Sequence, residues 1–231
     1  MLPTIETPKY QLTVPSTGDI VEYRPFLVKE EKVLMIAQEA NTQTAMVAAM
    51  KDVIKSCTLN KVDLYELTMY DLEYILLQIR SKSVGESVEV GIQCDHCEEV
   101  VPVTIDLSKV NVVEGKKIEN KIQLSAEIGI TLKAPSLKDV EKSTKGSNKS
   151  AINEAMVSVI ESVYDSNNVY PLNQASPKEI DSFIDSLNSQ QVLEIQSWVD
   201  NLPQLKHDVE FKCKNGHTTK KTLSGLADFF G

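Results

Sequence analysis

The segment that decides the fold is Val88–Leu107, with the sequence VEVGIQCDHCEEVVPVTIDL. Apolar and polar residues alternate on both sides of the C-x-x-C motif at Cys94–Cys97, and a period of two is typical of half-buried β-strands. The motif therefore lies where a tight turn joins two strands. A second strand–turn–strand pattern covers His207–Leu223 and contains Cys213 and His217 in a C-x-x-x-H spacing.

The residue types in these two turns predict a metal site. If the two hairpins face each other, three thiolates and one imidazole surround a single ion, and zinc prefers this tetrahedral donor set. Four protein ligands leave no coordination position for water or a substrate, so the predicted site is structural. The predicted cofactor is Zn²⁺, and its predicted ligands are Cys94, Cys97, Cys213 and His217.

The charges of the two hairpins support this pairing. Segment 86–106 contains six acidic residues and no Lys or Arg, whereas segment 206–222 contains five lysines against Asp208 and Glu210. Hairpins of opposite sign attract each other, but an exposed ion pair contributes less than about 1 kcal/mol. Charge therefore helps to select the arrangement and does not drive it.

Other interpretations of these residues remain open. The cysteines could be reduced, partly buried thiols that pack as small hydrophobes, although a redox C-x-x-C would be expected at a helix start and not between strands. His96 could replace His217 as a ligand. Cys57 ends an apolar helical pattern and is predicted to lie in the core, and His207 has no partner spacing.

Patterns along the whole chain predict an α+β fold. It has a helical body, a strand-rich middle segment and a zinc-ribbon-like pair of β-hairpins that joins the middle to the C-terminus. Five segments are predicted in order: an N-terminal arm or hairpin (1–26), a helical region (27–85), a strand-rich segment with the first cysteine pair (86–133), a second helical region (134–205) and a C-terminal hairpin with the second half-site (206–231).

Helical periodicity locates most of the predicted helices. The first covers Leu27 to about Glu39, with Leu27 and Ala37 among the candidate buried positions, and the second covers Gln43–Ser56. A third carries an apolar face, and an apolar stripe at helical spacing runs through Ile152–Val163. The face of the third helix consists of Leu72, Ile75, Leu76 and Ile79.

Local signals add detail around these helices. Ser176 is predicted to cap a helix, with Pro177 at its first position and Glu179 closing a capping box. The polar stretch Ser143–Ser150 is predicted to be a mobile loop. Alternation through Ile122–Leu132 predicts a strand.

Two further features have simple expected roles. Pro102 lacks an amide hydrogen and is expected at a sheet edge or a bulge. The charged run Lys29–Lys32 is most simply a solvated helix face, although its position could also make it a contact edge.

Composition excludes several classes of protein. The 231 residues include 24 Lys and Arg against 33 Asp and Glu, a formal net charge of −9. This balance disfavours wrapping of nucleic acid and adsorption to anionic membranes, since both need surplus cations. The apolar runs are shorter than the roughly 18 residues that a membrane span needs, and the N-terminus has no secretory signal pattern. Four cysteines are too few for a disulfide scaffold, so we expect a reducing compartment.

Enzymatic activity is not predicted. The sequence contains no P-loop, no G-x-G-x-x-G, no H-E-x-x-H and no nucleophile elbow, and these motifs mark common catalytic sites. A zinc enzyme would need an open coordination position, which four good ligands do not leave.

The segment Arg24–Lys32, RPFLVKEEK, is the most specific point of resemblance to a known family. Together with Leu12–Gly18 and the terminal Leu226–Phe230, it resembles the T4-type bacteriophage baseplate protein family, and the similarity extends through both cysteine motifs. That family includes baseplate hub subunits and a hub assembly catalyst. The resemblance implies a protein that binds other hub and tail proteins of a contractile phage tail and catalyses no reaction. It would be located in the virion baseplate, or in the host cytoplasm during tail assembly.

Two alternatives accompany this expectation. A zinc-ribbon nucleic-acid-binding module is supported by the lysines of segment 206–222, but the net charge and the scarcity of aromatic residues among those lysines oppose it. The N-terminal arm Met1–Pro25 could add strands to the sheet edge of a neighbouring protein, or it could pack on its own domain.

Overall fold

The computed structural model describes residues 6–115, 119–143 and 151–230, which contain both helices and strands. The predicted α+β class is confirmed. Residues 144–150 of the predicted loop Ser143–Ser150 lie outside the described residues. The elements in chain order are β1 (Tyr10–Thr13), β2 (Ile20–Tyr23), α1 (Val28–Ala40), α2 (Gln43–Cys57), α3 (Met69–Ser83), β3 (Ser87–Gln93), β4 (Val100–Asp106), β5 (Asn111–Val113), β6 (Lys121–Gln123), β7 (Gly129–Leu132), α4 (Leu137–Ser143), α5 (Ala151–Val159), β8 (Ile160–Tyr164), β9 (Val169–Pro171), α6 (Pro177–Asp185), α7 (Ser189–Asp200), β10 (Gln204–Lys212), β11 (Thr218–Ser224) and α8 (Ala227–Phe230), with short 3-10 helices at Leu107–Lys109 and Leu172–Gln174.

The chain divides into two compact units, and the first is assembled from three separate stretches. It contains the antiparallel hairpins β1–β2 and β3–β4 and a three-stranded sheet in the order β11-β10-β5. Among the described strands β4 pairs with β3 alone, so Pro102 lies on an edge strand, as predicted. The first unit comprises Met1–Leu64, Tyr70–Val113 and Gln204–Gly231, and the second comprises Tyr65–Met69 and Glu114–Pro203.

The N-terminal hairpin packs on its own unit. Val14 and Tyr23 are buried, and the backbone N–H and the hydroxyl of Ser16 both donate to the carboxylate of Asp71, at 2.9 and 2.6 Å. The amide of Arg24 donates to the carbonyl of Cys57 at 3.0 Å. These bonds anchor both ends of the hairpin to the helices, which favours the second of the two alternatives given for this arm.

The helices of the first unit follow the predicted bounds closely, and most predicted core positions are confirmed. The apolar face of α3 is buried, and Cys57 and Ala37 lie in the core. The expectation for Leu27 is wrong: this side chain is 40% exposed, because it is the residue before α1 and not on its inner face.

The charged run at the start of α1 is only partly a solvated face. Glu30 is 5% exposed, and its carboxylate accepts from the Arg24 guanidinium at 2.8 Å and from the Ser56 hydroxyl at 2.7 Å. The cation comes from the end of β2, so the charge pattern of the helix alone could not reveal that this glutamate points inward.

In its described residues, the second unit contains a four-stranded antiparallel sheet in the order β6-β7-β8-β9, the helices α4 to α7 and the short 3-10 helix Leu172–Gln174. Helix α6 begins as predicted: the Ser176 amide and hydroxyl donate to the Glu179 carboxylate, the Glu179 amide donates back to the Ser176 hydroxyl, and Pro177 occupies the first turn. The buried core residues of this unit are Ile130, Leu132, Met156, Val159, Ile160, Leu172, Ile184, Ile195 and Trp198.

Two predictions in this unit are wrong. Ile122–Leu132 is a hairpin and not one strand: the Leu124 amide donates to the Ile128 carbonyl at 2.9 Å, and the Ser125 hydroxyl accepts from the Ile128 amide at 3.1 Å. The apolar stripe of Ile152–Val163 is not entirely helical, since α5 ends at Val159 and the chain continues as β8, which pairs with β7. In the first case a local turn divides the alternating residues into two strands. In the second case the apolar stripe continues, but pairing with β7 ends the helix.

Candidate metal centre

The first half of the candidate site is the turn between β3 and β4. The Cys94 amide donates to the Glu99 carbonyl at 2.8 Å, and the Glu98 amide donates to the Cys94 carbonyl at 3.0 Å. Glu98 closes the turn with φ 58°, in the left-handed region that side chains other than glycine rarely adopt. The turn holds Cys94 and Cys97 close together.

The second half is the turn between β10 and β11. The Cys213 amide donates to the His217 carbonyl at 3.0 Å, and the Gly216 amide donates to the Cys213 carbonyl at 2.9 Å. Gly216 has φ 88°, a backbone conformation in which a residue with a Cβ would be strained. As in the first turn, two backbone hydrogen bonds to the leading cysteine close the loop, but each spans one residue fewer.

The structure brings the four predicted residues together. One ligand atom from each of Cys94, Cys97, Cys213 and His217 lies within 4.8 Å of all the others. The Cys97 and Cys213 Sγ atoms are 3.7 Å apart, and Cys213 Sγ is 3.4 Å from His217 Nδ1. A zinc tetrahedron with its usual bond lengths has edges of about 3.8 Å between sulfurs and about 3.5 Å between sulfur and nitrogen. The geometry and the donor types therefore both fit a zinc ion.

Burial separates the site from solvent on one side. Cys94 and Cys213 are buried members of the first unit's apolar core, and Cys97 is half-buried against it. Burial raises the pKa of the Cys213 thiol, because a thiolate loses hydration in an apolar environment.

Hydrogen bonds favour the thiolate form at the other two cysteines. The pKa of Cys94 is lowered, first by the Thr219 hydroxyl at 3.4 Å and then by the His96 amide. The pKa of Cys97 is lowered, first by the Asn215 side chain and then by the Glu99 amide. Thiolates are the form that ligates a metal, so these contacts prepare the site for a cation.

Ion pairs join the two hairpins, as their opposite charges predict. Lys221 Nζ lies 2.8 Å from the Asp95 carboxylate. The Glu99 carboxylate accepts from the Lys214 amide at 3.2 Å and lies 3.7 Å from Lys214 Nζ. Lys214 and Asp95 are exposed, whereas Glu99 and Lys221 are half-buried. Ion pairs near the surface contribute about 1 kcal/mol or less. They select the arrangement of the hairpins.

The sequence alone did not identify Thr219 and Asn215 as neighbours of the site, and it left open whether His96 is a ligand. Thr219 and Asn215 touch the sulfurs from β11 and from the second turn, and nothing in their spacing signals a metal site. The His96 ring lies beside the His217 ring, with 5.2 Å between centroids and an angle of 44° between the ring planes. Among the described residues, His217 and not His96 completes the cluster.

Comparison with known proteins identifies the family to which the chain belongs. Residues 7–231 match the model of the family described as T4 bacteriophage base plate protein, and the chain belongs to this family. Membership points to a structural role in a phage tail baseplate and to contacts with other baseplate proteins. None of the curated proteins and none of the solved structures matches the chain. Within the described ranges, every helix is too short or too polar to cross a bilayer.

Proposed function

We propose that this protein is a non-enzymatic structural or assembly component of the baseplate hub of a contractile-tailed phage, and that a structural Zn²⁺ stabilises it. The single observation that carries the role in a baseplate is the family match over residues 7–231. Assignment to the hub rests on the resemblance of segment 24–32 to hub proteins of that family.

The zinc part of the proposal rests on Cys94, Cys97, Cys213 and His217. When bound, a zinc ion would link the two hairpins by a closed set of four ligands, in a zinc-ribbon-like arrangement. The protein's own residues position the donors through the two turns, and hydrogen bonds to Cys94 and Cys97 favour their thiolate forms. Because the site has no open position, it fits stabilisation and not catalysis.

The alternative of a nucleic-acid-binding module loses its main support. Lys214, Lys220 and Lys221 lie within 3.7, 3.2 and 2.8 Å of the carboxylates of Glu99, Glu210 and Asp95. Lysines that are already paired release few counterions from a phosphate backbone. The basic character of segment 206–222 is therefore used within the protein.

Reconstitution tests the proposed function. The purified chain is mixed with candidate hub proteins of the same phage, and the complexes are separated by size-exclusion chromatography and analysed for zinc. We expect co-elution with at least one hub protein and one zinc ion per chain in the complex. Co-elution only with proteins from the baseplate periphery would contradict the hub assignment, and a stable complex without metal would contradict the zinc assignment.

Thr219→Val tests the contact behind Cys94. The substitution removes a hydroxyl that donates to the sulfur and keeps the side-chain shape, and loss of such a supporting contact lowers metal affinity by about 10- to 100-fold. We expect a loss of about tenfold, measured by competition with a chromophoric chelator. Thr219→Ser retains the hydroxyl and serves as the matched control. Equal affinities for all three proteins would exclude a role for this hydroxyl.

A further inference from the structure

The outward face of α1 carries several exposed apolar side chains. Val28, Met35 and Ile36 are 65%, 56% and 66% exposed. Successive residues of a helix are separated by about 100°, so these three side chains lie on one side of α1. The opposite side carries the buried Ala37 and Glu30. A soluble helix usually has its polar residues on the exposed side, and exposed apolar surface of this kind marks an interaction site.

Two opposite charges flank this apolar face symmetrically. Lys32 precedes Met35 by three positions, and Glu39 follows Ile36 by three positions. Both charged residues are exposed and lie on the same side of the helix as the apolar ones. The face is therefore self-complementary about the midpoint between Met35 and Ile36.

We propose that this face binds α1 of a second copy of the chain as an antiparallel, two-fold symmetric helix pair. In this arrangement Met35 and Ile36 cross the same residues of the partner, and Lys32 of each copy faces Glu39 of the other. A two-fold contact uses one patch on both copies and needs this kind of internal complementarity. A helix face that binds a different protein has no need for it.

Two more exposed apolar side chains lie near the start of α1. The Phe26 amide donates to the Ser83 hydroxyl at 2.9 Å, which brings the residues before α1 next to the end of α3. Leu27 and Val84, both exposed, are the adjacent residues. A stable interface buries about 800 Å² on each partner, and one helix face provides less. We therefore expect a dimer that dissociates at micromolar concentrations.

Charge reversal tests the pairing in the full-length, zinc-supplemented protein. In the proposed pair, Lys32→Glu places two glutamates opposite each other, and Glu39→Lys places two lysines opposite each other. Like charges on neighbouring positions repel. In sedimentation velocity over a range of concentrations, we expect each single variant to dimerise at least tenfold more weakly than the natural chain. The double variant restores the charge pairs and the dimer. An equimolar mixture of the two single variants forms a heterodimer, because each then supplies the charges that the other lacks.

Lys55→Glu is the matched control, since it reverses an exposed lysine of α2 in the same unit. It is expected to leave the dimer unchanged, and circular dichroism checks that all variants are folded. A chain that stays monomeric up to high concentration would overturn the proposal. So would a dimer insensitive to both single reversals, a double variant that fails to recover, or a face that binds only another baseplate protein. The proposal does not depend on the metal, so loss of zinc binding and loss of dimerisation are separate results.

Discussion

Cys97→Ser and Cys213→Ser are each expected to abolish stoichiometric zinc binding and to lower the midpoint of thermal unfolding by about 10 °C or more. Structural zinc contributes about 10–16 kcal/mol of apparent binding free energy in small zinc-finger peptides, and this is also folding free energy. For a chain of this length, a loss of about 1 kcal/mol lowers Tm by about 2–4 °C. A fraction of the zinc contribution is therefore enough for the expected shift.

The predicted ligands come from distant parts of the chain, but the size of the effect comes mainly from the ligand bonds. Cys97 and Cys213 are 116 residues apart in sequence, so a shared ion closes a long loop and fixes the β10–β11 hairpin against the β3–β4 hairpin. The cost of closing such a loop grows only slowly with its length, whereas the ligand bonds are lost at once when one sulfur is removed. Zinc content by mass spectrometry under native conditions and Tm by calorimetry should fall together.

Cys57→Ala is the matched control. This cysteine is fully buried in the same unit, and burial raises the pKa of its thiol to about 11, so it is held as a neutral, unreactive thiol. Its truncation is expected to lower Tm through lost packing and to leave one zinc ion per chain. If Cys97→Ser keeps its zinc and its Tm, the proposed metal site is wrong.

Arg24→Met is the second substitution with a large expected effect: we expect the free energy of unfolding of the first unit to fall by about 3–5 kcal/mol. Removing one partner of a buried ion pair leaves the other charge without compensation. Here Glu30, with a side chain only 6% exposed, would lose its bond from the guanidinium and keep only the exposed Lys29 ammonium, at 3.4 Å, as a cationic partner. The control is Lys61→Met, which removes a surface pair with Glu22 and should cost less than about 1 kcal/mol.

The same pair predicts how stability depends on pH. Burial alone would raise the pKa of Glu30, but hydrogen bonds from Arg24, Ser56 and the Leu27 amide outweigh it and lower this pKa to about 2, from 4.5. The contribution, on the order of 3 kcal/mol, is therefore complete above pH 4.5 and is lost as the pH falls towards 2. The stability difference between the natural chain and Glu30→Gln should shrink over this window, and an unchanged difference would contradict the assignment.

The choice of probe matters for these measurements. The single tryptophan, Trp198, lies in the core of the second unit, so its fluorescence reports the unfolding of that unit. Hydrogen exchange of the α1 and α2 amides follows the first unit, where Arg24 and Glu30 act. Exchange should accelerate in Arg24→Met at those amides and leave the second unit's protection as it was.

The sequence predicted the features that depend on local chemistry. The period-two runs around Cys94 and Cys97 predict the β3–β4 hairpin, and Ser176 with Glu179 predicts the start of α6, because neighbouring residues alone decide these structures. The predictions that were wrong concern structures that depend on distant partners. Val159 ends a helix and Ile160 starts a strand because β7 is there to pair with it, and Glu30 points inward because Arg24 meets it from another element.

The candidate site also combines local features, which the sequence reveals, with contacts to distant residues, which it does not. The residue types and their spacing within each turn are local features. The sequence alone therefore predicts Cys94, Cys97, Cys213 and His217 as the ligands. Thr219 supports Cys94 across 125 positions in the chain, and no local pattern encodes that contact. β11 contains three threonines and two lysines, and the threonines are ordinary strand residues until the opposite hairpin is in place.

The division of the first unit into three stretches has a consequence during synthesis. Its last stretch, Gln204–Gly231, carries β10, β11 and two of the four clustered side chains, and it leaves the ribosome only after almost all of the second unit. During synthesis, the second unit can therefore fold before the strands that complete the first unit have been made. A product of premature termination before Gln204 would contain Cys94 and Cys97 but would lack Cys213 and His217, so it could not assemble the four-residue cluster.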